Sequence, residues 1–439
     1  MRIRACLSLA LLVVIPVWSQ VVPAATGSTE ILDDAYRMPI PPLVSGKAFP
    51  TTTLSEERSN YLNAGLAFEP AYYDNLLVGY GTQPTSDMAY SIRPSIALDQ
   101  LTSRLHQTWT YNPSFTFYQR TSARNAEDQS ASLDFQFRLN QHTTINVTDM
   151  FQKSSNVFNV TTSSLASSSS SAEVIPPLVN RTNNTTIAEI THQYSRNDMI
   201  GAGGTYGLNN YPDKTEFPNL YDWNSRGGSA FYERRLFGTH FIGITYQYGR
   251  VLGYPTNGEL EIQTHSTYFS YTANLTHGIS LFLAAGPQYF NMDLSPLPSS
   301  GSWTPAAMAN IGKKGEHTNI SASYSRSVSG GGGLLGAFSS SSAKASARWQ
   351  MTRTWTADMT GSYVLFENVS PQSLSTEPNR RSISGTASIE HSLGGHFTAS
   401  LEYQRIHQSY NGLAGVNSNP DSDREAISII YHFTRPLGR

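Results

Sequence analysis

The sequence predicts an all-β chain closed into a transmembrane, antiparallel, up-and-down β-barrel of about 18 strands, with 16 as the alternative count. Three observations predict it: a long recurrence of period-two hydrophobicity, connections that alternate between very short and long, and a low charge content. Charged residues make up 14% of the chain and aromatic residues 11%, against about 25% charged residues in an ordinary globular protein. The mean hydropathy of −0.33 excludes several apolar helical spans, whereas a barrel that alternates lipid-facing and water-facing residues looks soluble on average.

The first 25 residues have the layout of a cleavable secretory signal: Arg2 and Arg4, an apolar run from Leu7 to Val17, then small residues at Ser19, Ala24 and Ala25. The single cysteine, Cys6, falls inside it, so no disulfide scaffold or thiol nucleophile is expected beyond it. The formal net charge of −2, about −4 without Arg2 and Arg4, comes with no basic block, which argues against a nucleic-acid partner. Residues 26–58, with prolines at 39, 41, 42 and 50, read as an irregular periplasmic extension. At roughly 33 residues it is too short for the plug of an energy-coupled transporter.

The barrel is expected over 59–433, with 434–439 as a short tail. Its first strand lies somewhere between Tyr61 and Gly81. The second carries Met88, Tyr90, Ile92, Ile96 and Leu98 on one face, and the third Leu105, Trp109, Tyr111, Phe115 and Phe117. In ASLDFQFRLNQHTTINVTDMF, from Ala131 to Phe151, the residues Leu133, Phe135, Phe137 and Leu139 alternate with Asp134, Gln136, Arg138 and Asn140. Asn140 and Gln141 make a turn and Ile145 and Val147 begin the return strand. The same phase sends Asp149 toward lipid, which calls for a headgroup location or a register-shifting bulge. Near the C-terminus Phe397, Ala399, Leu401 and Tyr403 alternate with Thr398, Ser400, Glu402 and Gln404.

About eight short turns separate about nine longer polar loops, and parity then places every long loop on one rim, as in outer-membrane barrels. Parity also requires the weakly patterned SWTPAAMANI, at 302–311, to be a strand. Two stacked soluble sandwiches would need a similar strand count but have no reason to sort loops by length. They would also bury Asp134, Arg138, Glu189, Asp358, Glu390 and Glu402 at high cost, whereas a water-filled lumen accepts them. The predicted lumen-lining residues are therefore Arg104, His106, Asp134, Arg138, Glu189, Asp358, Glu390 and Glu402. Their mixed sign argues against a strong single-charge filter.

The last strand, EAISIIYHF, places Ile427, Ile429, Tyr431 and Phe433 on one face and resembles the terminal strand of Gram-negative outer-membrane barrels. The resemblance implies that Ile429, Tyr431 and Phe433 form the signal read by the barrel-insertion machinery, although here TRPLGR follows Phe433. From about 58 to 433 the chain also resembles the β-barrel porin-2 type in architecture. This implies an outer-membrane channel for hydrophilic solutes, with exopolysaccharide exit as the main alternative. A structural or adhesive barrel whose binding loops meet partners outside the cell is a third reading, and the Ser-rich segment 153–183 could instead fold inward as a constriction or stay disordered.

No phosphate-loop, nucleophile-elbow or zinc-protease motif is present, and neither a cofactor nor a metal is expected. His391 and His396 flank a GG turn and read as polar turn residues rather than ligands. HQSYNG, at 407–412, is loosely similar to the His-x-Ser-Asn-Gly segment of outer-membrane phospholipase A. Tyr410 interrupts that motif, so the expectation is a polar strand end and no enzyme. Outer-membrane lipid and a hydrophilic solute or polysaccharide are the expected partners, and the oligomeric state is not legible from the apolar faces.

Overall fold

The computed structural model describes residues 38–45, 60–76, 85–156, 158, 179–212, 220–255, 258–275, 278–295, 298–330, 336–369, 380–409 and 421–437. The proposed signal, residues 26–37 of the extension and most of the Ser-rich segment lie outside them.

Eighteen strands form one sheet. They are β1 (Tyr61–Tyr73), β2 (Asp87–Leu101), β3 (Leu105–Tyr118), β4 (Ala126–Arg138), β5 (Thr143–Ser154), β6 (Arg181–Gln193), β7 (Asp198–Asn210), β8 (Asp222–Phe237) and β9 (His240–Tyr254). The second half comprises β10 (Leu260–Leu275), β11 (Ile279–Leu294), β12 (Ser300–Lys314), β13 (Thr318–Gly330), β14 (Ala337–Gln350), β15 (Trp355–Asn368), β16 (Arg380–Ser392), β17 (Phe397–Ser409) and β18 (Asp421–Pro436). Each pairs antiparallel with its sequence neighbours, and β1 closes the sheet against β18 from Tyr61↔Pro436 to Tyr73↔Arg424. A one-turn helix α1 (Pro42–Ser45) precedes the barrel, and a 3₁₀ turn (Ser122–Arg124) follows β3.

The weakly patterned 302–311 stretch lies within β12, as parity requires, and Ala131–Phe151 divides into β4, a turn and β5. One boundary moves. Thr434, Arg435 and Pro436 extend β18 by pairing with Asn63, Leu62 and Tyr61, so the barrel runs past Phe433. Three connections expected to be long are short: five residues after β9, five after β11 and six after β13. The Ser-rich stretch Ser339–Ser342, loop-like in composition, is paired on both sides, to β13 and β15. Serine's short side chain weakens strand propensity, but ladder pairing on both sides overrides it.

Prolines mark three of the interruptions in the ladders; a fourth, the register shift between Arg235 and Phe237 where β8 meets β9, has none. Pairing lapses at Pro70 toward β18, between Ile92↔Phe115 and Ile96↔Tyr111 where Pro94 and Pro113 face each other, and at Pro287 toward β10. In each case the ladder resumes in unchanged register, because a missing N–H removes a bond without adding a residue.

The two faces separate as the period requires. Outside, Phe269, Trp303 and Met359 are 64%, 69% and 67% exposed, a surface that only lipid satisfies. Inside, apolar side chains gather in three covered patches. One joins Met199, Phe231, Phe241, Tyr268 and Phe282 of β7–β11 to Met38, Leu43 and Val44. A second joins Leu260, Ile262, Phe290 and Met292 to Val328 and Ala337, where the ends of β13 and β14 lean across the lumen after β13 parts from β12 beyond Arg326. The third joins Ala71, Tyr73, Ala89 and Tyr118 to Phe158.

At Gly286 of β11 an added Cβ would lie 1.7 Å from the Thr267 carbonyl oxygen of β10. Gly286→Ala is expected to lower the unfolding free energy by about 2 kcal/mol, read as a lower urea midpoint for loss of the heat-modifiable folded band on gels.

Candidate lumenal site

Register settles which face each polar residue occupies. Asp134, Arg138, Glu189, Asp358, Glu390, Glu402 and His106 all fall on the phase opposite the exposed apolar residues of their strands. Arg104 differs from its expected place on the strand wall: it sits exposed in the turn between β2 and β3, where its carbonyl accepts the Arg138 N–H at 2.8 Å. Strand β3 begins only at Leu105, because Thr102 N–H and Oγ1 both bond the Leu105 carbonyl and close the turn first.

Neighbouring strands satisfy the wall carboxylates. Thr148 Oγ1 donates to Asp134 at 2.8 Å, Asn146 Nδ2 donates to Glu189 at 2.9 Å, and Arg348 lies 3.6 Å from Asp358. His106 is 3.4 Å from Asp99.

The densest charge cluster contains only one of the expected residues, Glu402. Arg424 of β18, 2% exposed, donates from its two terminal nitrogens to Glu69 of β1 and Glu402 of β17, and its Nε donates to Tyr73 Oη at 3.2 Å. Its guanidinium also lies over the Tyr73 ring, 5.9 Å from the centroid. Arg93 of β2 completes the set by donating to Glu69 at 2.5 Å. Four strands, including the two that close the barrel, are thus tied by one alternating chain of charges. The signal was present at the edges: Arg424 falls just before the strand pattern begins at Glu425, and Glu69 lies in the strand whose position the sequence left open.

Above this cluster the chain after β5 turns inward. Phe158 meets Tyr73 edge-on with centroids 5.6 Å apart, and Asn156 Nδ2 donates to Tyr118 Oη at 3.3 Å. The start of the 153–183 segment therefore folds into the barrel. The N-terminal extension does so as well: Gln247 Nε2 of β9 donates to the Leu43 carbonyl at 2.8 Å, and the Met38 N–H points at Gln193 Oε1 of β6 at 3.4 Å. Residues 38–44 form a strap inside the barrel, at the rim of short turns.

The remaining arc of wall, β13–β17, is half-buried and rich in hydroxyls. Ser321 bonds Ser346 at 2.5 Å, Ser362 bonds Ser384 at 2.7 Å, and Ser400 bonds Ser428 of β18 at 2.6 Å. Lys344, Arg348, Asp358, Glu390 and Glu402 share this arc on the same inward phase.

Outward, Ile429, Tyr431 and Phe433 are 52%, 41% and 46% exposed at the short-turn rim. His407 and Ser409 also face out at the opposite rim, and His407 stands opposite Asp421 in register. The Asp421 carboxylate instead accepts Arg405 at 2.7 Å, and among the described residues no hydrogen bond joins His407 to Ser409 or Asp421. Asp149 keeps its lipid-facing phase halfway along β5 with no register shift, so neither a bulge nor a strand-end location accounts for it. Its carboxylate is satisfied laterally by Thr186 Oγ1 and by Asn184 Nδ2 at 3.2 Å, both on β6.

A closed 18-stranded sheet with a lipid-facing exterior and a polar interior defines a transmembrane β-barrel. No family model and no curated protein matches the chain. Solved structures that resemble it include the FrpB iron transporter from Neisseria meningitidis (TM-score 0.43, 10% identity, 82% of this chain and 65% of that one). Others are OccK2 (OpdF) from Pseudomonas aeruginosa (0.40, 9%, 86% and 98%) and the outer membrane protein OpdK from the same organism (0.39, 9%, 85% and 99%). The chain thus spans just under two thirds of that FrpB chain and nearly all of OccK2 and OpdK.

Removing Arg424 takes the guanidinium from two carboxylates and leaves the deeply buried Glu69 with Arg93 alone. Arg424→Met is expected to cost about 3 kcal/mol of barrel stability, and Glu402→Gln clearly less, because Glu402 is the more exposed partner. Urea titration of the folded gel band compares the two.

Proposed function

We propose that this chain is a channel of the Gram-negative outer membrane through which hydrophilic solutes pass. The observation that carries the reading is the hydroxyl-lined, charge-dotted arc of β13–β17 inside a closed barrel of 18 strands, a size that leaves an aqueous passage unless it is filled. Three inward elements narrow that passage: the Met38–Val44 strap, the leaning ends of β13 and β14, and the chain at Phe158. The hydroxyl arc is the part of the wall they leave to water. Both signs are present along it, Lys344 and Arg348 on β14 beside Asp358, Glu390 and Glu402 on β15–β17, which supports weak ion selectivity. The reading assigns no reaction and no cofactor to the chain, and it gives Ile429, Tyr431 and Phe433 to recognition by the insertion machinery.

Polymer export is the less favoured reading on one observation. A sugar chain sliding through a lumen uses exposed ring faces, but six inward rings, Tyr73, Tyr118, Phe231, Tyr268, Phe282 and Phe290, are each at most 5% exposed, and Trp223 on the same phase packs against the Leu260–Phe290 patch.

Purified protein in planar bilayers is expected to give an ohmic current with a reversal potential near zero in a salt gradient; absence of current would reject the channel. Leu43→Asp with Val44→Asp places two carboxylates against Phe231 and Phe282 and expels the strap. Its single-channel conductance is expected to exceed that of the wild type, and an equal conductance would show that the strap does not narrow the path.

A further inference from the structure

The outer face is not uniformly apolar. One cross-strand row, followed through the register from β5 to β11, reads Asp149, Thr186, Tyr206, Arg226, Arg250, Gln263, Asn291. Because strands tilt in a closed barrel, such a row climbs obliquely from the middle of the membrane toward one rim. Arg226 and Arg250 lie at its middle, each the fifth residue from the long-loop end of its strand.

These two guanidiniums stand directly opposite each other, an arrangement of like charges that destabilises a sheet unless an anion joins them. Glu261 takes one edge of Arg250, with Nε and Nη2 both donating at 2.8 Å. Arg226 is exposed, and its contact is with the Tyr206 ring, 5.9 Å from the centroid. Of the two arginines Glu261 thus bonds Arg250 alone, with Glu259 a weaker electrostatic neighbour of Arg250, and the exposed face of Arg226 is left to an external anion.

Just below them the wall recedes. The next outward row holds Ala188, Gly204 and Gly228, and the one after it Ala202 and Ala230. A Cβ added at Gly228 would meet only the Gly203 carbonyl oxygen, at 3.9 Å. Tyr246 and Tyr248 of β9 border this trough on one side and Val147 of β5 on the other.

We propose that Arg226 and Arg250 bind the phosphate of a phosphorylated lipid of the outer leaflet, one of whose acyl chains lies in the Ala202–Gly204–Gly228–Ala230 trough. The guanidiniums supply charge-assisted donors to the phosphate, the Tyr206 ring holds Arg226 in place, and the missing side chains make room for the hydrocarbon. The arrangement rests on the outer face alone and stands whether or not the lumen conducts.

The test titrates the detergent-purified barrel with a bisphosphorylated glucosamine lipid and counts bound lipid by native mass spectrometry. Arg226→Gln with Arg250→Gln is expected to weaken binding about tenfold, and undiminished binding overturns the proposal. Gly228→Leu fills the trough without touching a charge and is expected to weaken lipid binding while leaving the folded gel band intact; undiminished binding in that variant overturns the acyl-chain placement. Displacement of the lipid by millimolar inorganic phosphate would assign the arginines to the free ion instead. Efficient disulfide dimers of Gly228→Cys in native membranes would give the face to a second copy, and either result overturns the assignment.

Discussion

A strand edge left open in hydrocarbon would expose a row of N–H and C=O groups that no solvent can satisfy. The pairing of β1 with β18 removes that edge, and much else in the structure answers to it. Eighteen strands must close with none missing, which is why SWTPAAMANI is held in the sheet as β12 despite its weak alternation. The prolines of β1, β2, β3 and β11 are tolerated because each deletes one bond of a ladder whose register is fixed on both sides. The same requirement carries β18 past Phe433, since Thr434–Pro436 cover the beginning of β1.

Closure also creates an inside, and the seam is where the inside is tied most tightly. Glu69 and Arg424 lie on the two seam strands, and Glu402 and Arg93 on their outer neighbours. A buried arginine is costly unless its donors are used. Here two carboxylates and a phenol use them, so the cluster favours this closed arrangement over one in which β18 is displaced from β1. Backbone pairing supplies the generic attraction between first and last strands, and the charge chain makes their alignment specific.

The architecture was legible in the sequence because its code is the simplest available: a period of two, read against loop length. Seven of the eight expected wall residues follow from phase alone. Phase fails wherever a residue leaves a strand, so Arg104 was misplaced by a turn that closes one residue later than the pattern suggested. Composition failed at Ser339–Ser342, where pairing with β13 and β15 overrides a loop-like sequence. The strap was hidden for a different reason. Met38, Leu43 and Val44 show no period, and their partners Phe231, Phe241 and Phe282 looked like ordinary strand residues on the polar face. Only the closed sheet brings inner faces so distant in sequence to the same segment.

Those inward phenylalanines bear on how the lumen is divided. A barrel wall facing water has no use for Phe231, Phe241, Tyr268, Phe282 and Phe290, and leaving them wet would cost each roughly 1.5–3 kcal/mol. Each is covered by a chain segment that must itself carry apolar residues, and each cover occupies lumen. The β7–β12 side is therefore filled by the strap and by β13 and β14, and the seam side by Phe158. Away from their buried long-loop ends, strands β13–β17 present mainly serines, threonines and charges inward, and these residues are only half-buried among the described residues. The cross-section of the passage is thus determined less by strand number than by which inner positions are apolar, a property that single substitutions at the inner face can change without disturbing closure.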